Sequence, residues 1–182
     1  MASPVEIIRP LRRAEYEALT ALGAFRDERV ELLDGALVPM SPIGPPHSSA
    51  VQKLMELLIP PLLGRATVRV QSPFAAGDLS EPEPDVAIVP FGDYSTAHPE
   101  QAYAIIEVAD SSLASDREVK LRLYALSQVP ECWIVNLRDR CVEVYSRLEV
   151  GTYTSVIRID HTQSLRLEHF PELEIRVADV IR

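Results

Sequence analysis

The chain has 182 residues, of which 47% are apolar and 25% charged, a balance that suits one globular domain burying roughly 70% of its unfolded surface. No apolar stretch approaches the ~18 residues of a membrane-spanning helix, and Met1-Ala-Ser-Pro-Val-Glu6 has neither the basic start nor the apolar run of a signal peptide. With 27 acidic against 18 basic residues the formal net charge is −9, which excludes DNA binding by a broad basic surface and leaves room only for a local basic cleft.

Residues 10–22 predict a short helix with Leu11, Ala14, Ala18 and Leu22 on one face. Arg29–Leu33 and Ala36–Met40 read as strands joined by Asp34-Gly35, a strong two-residue hairpin signal. Glu31, in the middle of the first strand, is expected to point outward from an alternating pattern. The stiff loop Ser41-Pro-Ile-Gly-Pro-Pro46 leads into a helix from about Ser48, capped by Ser48 or Ser49. Val51, Leu54 and Leu58 form its apolar stripe, and Pro60-Pro61 kinks or ends it. His47 stands at the mouth of this helix and reads first as a capping or solvent-facing residue.

Residues 66–72 alternate and predict a strand, and Pro73–Pro84 is a loop whose acids Asp78, Glu81 and Glu83 are expected to be solvated. Two buried strands follow, Pro84–Val89 and Ala104–Ala109, with an exposed loop from Pro90 to Pro99 between them. Each carries one carboxylate, Asp85 and Glu107, where an apolar residue would be expected. A lone buried charge costs several kcal/mol unless something pairs with it. Two of them on neighbouring strands raise each other's pKa unless a cation lies between them. A divalent metal site is therefore the first hypothesis.

After the polar turn Asp110–Leu113, Ser115-Asp-Arg-Glu118 reads as a capping box. It opens a helix to about Ser127 with Val119, Leu123 and Leu126 buried. Lys120 lies on the edge of that stripe, four residues after Asp116 and four before Tyr124. A lysine there ordinarily snorkels to the surface, but its place directly after the Glu107 strand makes it the third candidate. Pro130–Asn136 predicts another buried strand, Cys141–Ser146 a half-exposed strand paired with it, and Tyr153–Asp160 one more; Leu173–Ile181 alternates only weakly. Cys141 would lie opposite about Asn136, too far from Cys132 for a disulfide, and two unpaired cysteines fit a reducing cytoplasm. The sequence contains no internal repeat, Gly-rich phosphate loop or Cys/His cluster.

From Ser48 the order is helix, three strands, helix, strand, with carboxylates on the second and third strands and a lysine on the following helix. This resembles the PD-(D/E)XK nuclease superfamily and, within it, the Uma2 family of proposed endonucleases. The segments that carry the resemblance are Val30–Gly35, Met40-Ser-Pro42 with His47, Glu83–Val86, Ile106–Leu113, Asp116 with Lys120–Ala125, and Val129–Val135. The resemblance implies an α/β (α+β), restriction-endonuclease-like fold. One domain would span 1–182 around an αβββαβ core of about 46–147. Its mixed central sheet would be flanked by helices, with an N-terminal β-hairpin and extra C-terminal strands.

The resemblance also implies roles. Asp85 and Glu107 answer the family's metal ligands, with the Val108 backbone carbonyl completing the site. The motif lysine would fall two residues after the acid, at Ala109, but in this family it sits on the following helix, where Lys120 stands. Asp85, Glu107 and Lys120 would then be catalytic, Glu31 would add a further carboxylate, and His47 would face the cleft and the substrate. The implied cofactor is Mg²⁺, with Mn²⁺ as a substitute, and the implied activity is hydrolysis of nucleic-acid phosphodiester bonds, DNA ahead of RNA. Arg65, Arg69, Arg117 and Arg122 flank the same elements and are candidates for phosphate contact, Arg69 and Arg117 first. The expected location is cytoplasmic, with no membrane partner and with a homodimer left open. Two alternatives stay open: a nuclease fold that binds metal or nucleic acid without catalysis, and a structural or regulatory dimeric interaction domain.

Overall fold

The N-terminal helix is organised by one aromatic residue. In a computed structural model that describes residues 9–110 and 112–181, α1 (Arg13–Ala21) turns Tyr16 inward. The Tyr16 hydroxyl donates to the Val30 carbonyl (2.9 Å) and its ring stacks on Phe25. The expected Leu11–Leu22 face is therefore not the buried one: Leu22 is 79% exposed, because a single tyrosine buries more apolar area than two alanines. The absence of a signal peptide in Met1–Glu6, residue Ser111 of the polar turn, and Arg182 at the end of the domain lie outside the described residues.

Strands β1 (Val30–Leu33) and β2 (Ala36–Pro39) form an antiparallel hairpin. Its turn residues have φ of 50° at Asp34 and 77° at Gly35, the primed geometry that Asp-Gly favours. A Cβ at residue 35 would lie 2.3 Å from Pro10 Cβ, so only glycine fits. Helix α2 (Pro45–Leu62) starts three residues before Ser48, since Pro45 and Pro46 occupy the first turn, where no N–H is required. Its stripe of Ala50, Val51, Leu54, Leu58 and Leu62 is buried, and the helix stops one residue after Pro61.

The central sheet has six strands: β3 (Ala66–Val70), β4 (Val86–Pro90), β5 (Ala104–Ala109), β6 (Cys132–Asn136), β7 (Cys141–Glu149) and β8 (Thr152–Asp160). They lie in that order; β5 and β6 are parallel and every other neighbouring pair is antiparallel. The parallel pair needs a crossover, supplied by α3 (Leu113–Ser115), a π-turn (Asp116–Lys120) and α4 (Leu121–Leu126). One sheet face packs on α2 and the C-terminal α5 (Val177–Val180) through Ile106, Trp133 and Val135. The other packs on α4, with Leu121 and Tyr124 against Phe74, Ile105 and Ile134. The C-terminal segment adds a small antiparallel pair, β9 (Ser164–Arg166) and β10 (Glu174–Arg176), then α5, where the sequence signalled only weak alternation. This is the mixed α/β architecture expected, with the hairpin before it and extra strands after it. Both cysteines are free and buried, with Cys141 opposite Asn136 and Cys132 opposite Tyr145.

The crossover departs from the sequence reading. No capping box forms at Ser115: the helix opens after Ser112, whose hydroxyl bonds the Asp116 carboxylate (2.7 Å). The π-turn then inserts one residue into the helical register. Asp116 and Lys120 both rotate inward, and Leu126 swings out to 55% exposed. Among the described residues no helix is long and apolar enough to cross a membrane.

Candidate active site

Asp85 sits one residue before β4 rather than within it. The β4–β5 register pairs Val86 with Ile106, and one step further along it Asp85 meets Glu107. Pairing with β4 ends at Ile106, which leaves the Val108 N–H of β5 unpaired on that side. It donates to Asp85 Oδ2 (2.8 Å), which also bonds His47 Nε2 (3.0 Å) at the start of α2; Gln71 Nε2 lies 3.4 Å from Asp85 Oδ1. Glu107 Oε1 accepts the Tyr124 hydroxyl of α4 and lies 3.4 Å from Lys120 Nζ. The same ammonium is 3.4 Å from Glu31 Oε2, which accepts the Glu83 N–H (3.1 Å).

Glu31 thus points inward, against expectation. Every β1 side chain is buried: Val30 and Leu32 pack with Tyr16, Glu31 faces Lys120, and the segment ending at Asp85 runs along the strand's edge, with the Glu81 N–H bonded to the Leu32 carbonyl (2.7 Å). Glu81, on this edge, is itself only 3% exposed, where a solvated acid was expected.

These groups line a cleft of about 470 Å³. Six carboxylates face it, from Glu31, Glu83, Asp85, Glu107, Asp110 and Asp116, against Arg29, Lys120 and His47. Burial pushes the Glu107 carboxyl up to about 8, with Asp116 and Asp85 adding to the rise and Lys120 opposing it. Burial likewise raises Asp116, helped by the Asp85 and Glu31 charges. The hydrogen bond to Asp85 raises His47. Burial alone would lower Lys120, but Glu107, Glu31, Asp116 and Asp85 together raise it, so the ammonium stays charged throughout the neutral range. Such a surplus of buried carboxylates is the condition a divalent cation relieves.

The donor set fits Mg²⁺, which takes hard oxygens, one or two of them carboxylates, and keeps several waters. Among the described residues no group of three or more His, Cys, Asp or Glu side chains forms a ready cage, so a cation would rest on Asp85, Glu107, backbone oxygen and water. Buried His47 Nδ1 has no hydrogen-bond partner.

Of the residues singled out from sequence, the structure brings Asp85, Glu107, Val108, Lys120, Glu31 and His47 into this cleft. The four arginines are outside its lining. Arg69 lies over the Tyr94 ring (5.5 Å to its centroid), pointing to the opposite side of β3 from Val68 and Val70. Arg117 bonds Glu143 (Nε to Oε2, 2.9 Å), Arg65 pairs with Glu172, and Arg122 pairs with Asp34. Asp116, Gln71, Glu83, Asp110 and Arg29 face the cleft without having been proposed from sequence as site residues, and neither was Tyr124, which holds Glu107. The four-residue spacing of Asp116, Lys120 and Tyr124 was the available signal, but an α-helical wheel cannot show that a π-turn faces them inward.

A helix, three antiparallel strands, a crossover helix and a parallel fourth strand, with acids at the adjoining ends of the second and third strands, define a restriction-endonuclease-like α/β protein. Residues 13–178 match the model of the Uma2 family, described as "Putative restriction endonuclease", and the chain belongs to that family. It is similar in fold to a crystal structure from Anabaena variabilis ATCC 29413 described as "a putative nuclease belonging to DUF820", with a TM-score of 0.71 at 14% identity. The superposition covers 94% of this chain and 97% of that one. No curated protein matches the sequence.

Proposed function

We propose that the protein is a metal-dependent endonuclease that hydrolyses phosphodiester bonds of nucleic acid, DNA ahead of RNA. The observation that carries this reading is the meeting of Asp85, Glu107 and Lys120 in one cleft, from a strand mouth, a strand and a π-turn. The family description and that of the structural neighbour support it.

Asp85, Glu107 and the Val108 carbonyl would hold Mg²⁺ or Mn²⁺, with Glu31 beside them. Bound there, the ion supplies a water of lowered pKa and a polarised phosphate. The chain's own residues do the rest. The Val108 N–H and His47 Nε2 fix the Asp85 carboxylate from two sides, and the Tyr124 hydroxyl fixes Glu107. Lys120 is held by two acids at 3.4 Å, so its ammonium is aimed before substrate arrives. There it offsets the negative charge that builds on the phosphate oxygens in the transition state.

The test is calorimetry with Mg²⁺ and Mn²⁺ beside a cleavage assay on plasmid and oligonucleotide DNA. Wild type binds and cleaves, and Asp85→Ala does neither. Equal metal binding by both proteins refutes the site. Binding without cleavage by wild type leaves a module that holds metal and lacks the reaction.

A further inference from the structure

The cleft's walls differ in chemistry. Beside the carboxylates run the end of β2 and the β2–α2 connection, which contribute Val38, the cross-strand partner of Glu31, and then Met40 and Ile43 to the lining. Ile43 is 39% exposed, an apolar side chain held open at the mouth of an acidic site. Pro39, Pro42, Pro45 and Pro46 punctuate this segment, and each fixes its own φ. The apolar wall is therefore preformed, and little ordering entropy is lost when something lies on it.

The basic groups around the site tell the complementary story. A duplex binder neutralises many phosphates with free Lys and Arg side chains. Here Arg29 is held by Glu83 (3.0 Å), Lys120 by Glu31 and Glu107, Arg117 by Glu143, Arg122 by Asp34, and Arg138 lies 4.0 Å from Asp110. A duplex backbone crossing this face would break those pairs and run beside six carboxylates. Charge leaves room for contact at the reacting phosphate and little beyond it.

From this we infer the substrate class, an inference that rests on the nuclease reading above: the cleft takes single-stranded nucleic acid, with the base next to the scissile phosphate laid against Val38, Met40 and Ile43. Binding energy that phosphates cannot supply here comes from burying a base face. In a duplex that face is covered by its stacked neighbours; in a single strand it is free. Contact of this kind tolerates any sequence, since every base has an apolar face. A volume of about 470 Å³ lies within the range of small-ligand sites.

The experiment uses the full chain and four probes: one DNA sequence as single strand and as blunt duplex, the same sequence as single-stranded RNA, and the DNA strand carrying abasic positions. Fluorescence anisotropy is read with Ca²⁺, which takes the same oxygen ligands, and cleavage is read with Mg²⁺. The expected result is about tenfold tighter binding of single strand than of duplex, the gain of burying roughly 55 Å² of base face against aliphatic side chains. The salt slope of log Kd should be about 2 or less, against about 6 for a duplex binder. The variant Met40→Asn with Ile43→Asn changes two side chains that are not in the core, so it folds. It should raise KM for single strand about tenfold with kcat nearly unchanged, as loss of a comparable apolar contact area implies, and leave the abasic strand as wild type handles it. The DNA and RNA arms tell which sugar the cleft accepts, and preference for either over duplex supports the inference. Duplex bound and cleaved as well as single strand, with a steep salt slope, overturns this inference and leaves the nuclease reading standing. Failure to bind or cleave all four probes overturns both.

Discussion

Replacing Lys120 with methionine separates a catalytic lysine from a structural one. The residue is 8% exposed and its ammonium lies 3.4 Å from both Glu107 and Glu31. Methionine keeps the length and flexibility of the stem, so packing survives. Breaking a buried ion pair costs about 3–5 kcal/mol when the abandoned charge stays ionised. Here Glu107, pushed up to about 8 by burial even with Lys120 beside it, already holds a proton at neutral pH and stays neutral in the variant, and Glu31 keeps the Glu83 N–H. The expected stability loss is therefore only about 1–2 kcal/mol.

Catalysis should suffer more. Loss of one preorganised charge at the reacting phosphate typically costs ~3–4 kcal/mol, or about 10²–10³ in rate. Metal affinity should change little, since lysine is not a ligand. Single-turnover cleavage beside a Mn²⁺ titration on the same preparation measures both. Cleavage within a fewfold of wild type would refute the reasoning and return Lys120 to the role of a buried counter-ion.

Two further outcomes are expected. Tyr124→Phe removes the donor that fixes Glu107. It should cost about 1–2 kcal/mol of stability in urea and weaken Mn²⁺ binding severalfold, whereas unchanged metal affinity would show that Glu107 needs no orienting partner. Burial, with the Glu17 carboxyl beside it, pushes Glu81 up to about 8, and the two carboxyls release their protons as a pair. The native state holds that proton between about pH 4.5 and 8 while the unfolded chain has lost it, so stability falls as pH rises through this window, by on the order of 2–4 kcal/mol. Glu81→Gln should flatten that slope in melting curves, and an unchanged slope would assign the pH dependence elsewhere.

Short-range pattern carried much of this molecule. The runs at 86–90, 104–109 and 132–136 are strands because they are short, rich in residues that fit a pleated surface and bounded by turn residues. Asp34-Gly35 makes the hairpin through a backbone geometry that those two residues favour by themselves. Asp85 and Glu107 were legible as candidates because a carboxylate inside an apolar strand is locally inconsistent, and the fold brings both into one cleft.

The tertiary structure decided which polar side chains face the cleft. Alternation along β1 assigns Glu31 to a solvent face, but the strand has none once Tyr16 packs on one side and the turn that carries Lys120 lies on the other. A helical wheel puts Leu126 inside and Lys120 at the rim. One inserted residue in the π-turn reverses both and brings in Asp116. The arginines flanking these elements were candidates for phosphate contact from their place in the chain. Their partners, Glu143 on β7, Asp34 in the hairpin turn and Glu172 near the C-terminus, are 26, 88 and 107 residues away in sequence. Periodicity reports the neighbours a residue has along its own element. The charge that neutralises an arginine, or the strand that covers a glutamate, comes from elsewhere in the chain, and only the packing of sheet, hairpin and crossover brings them into contact.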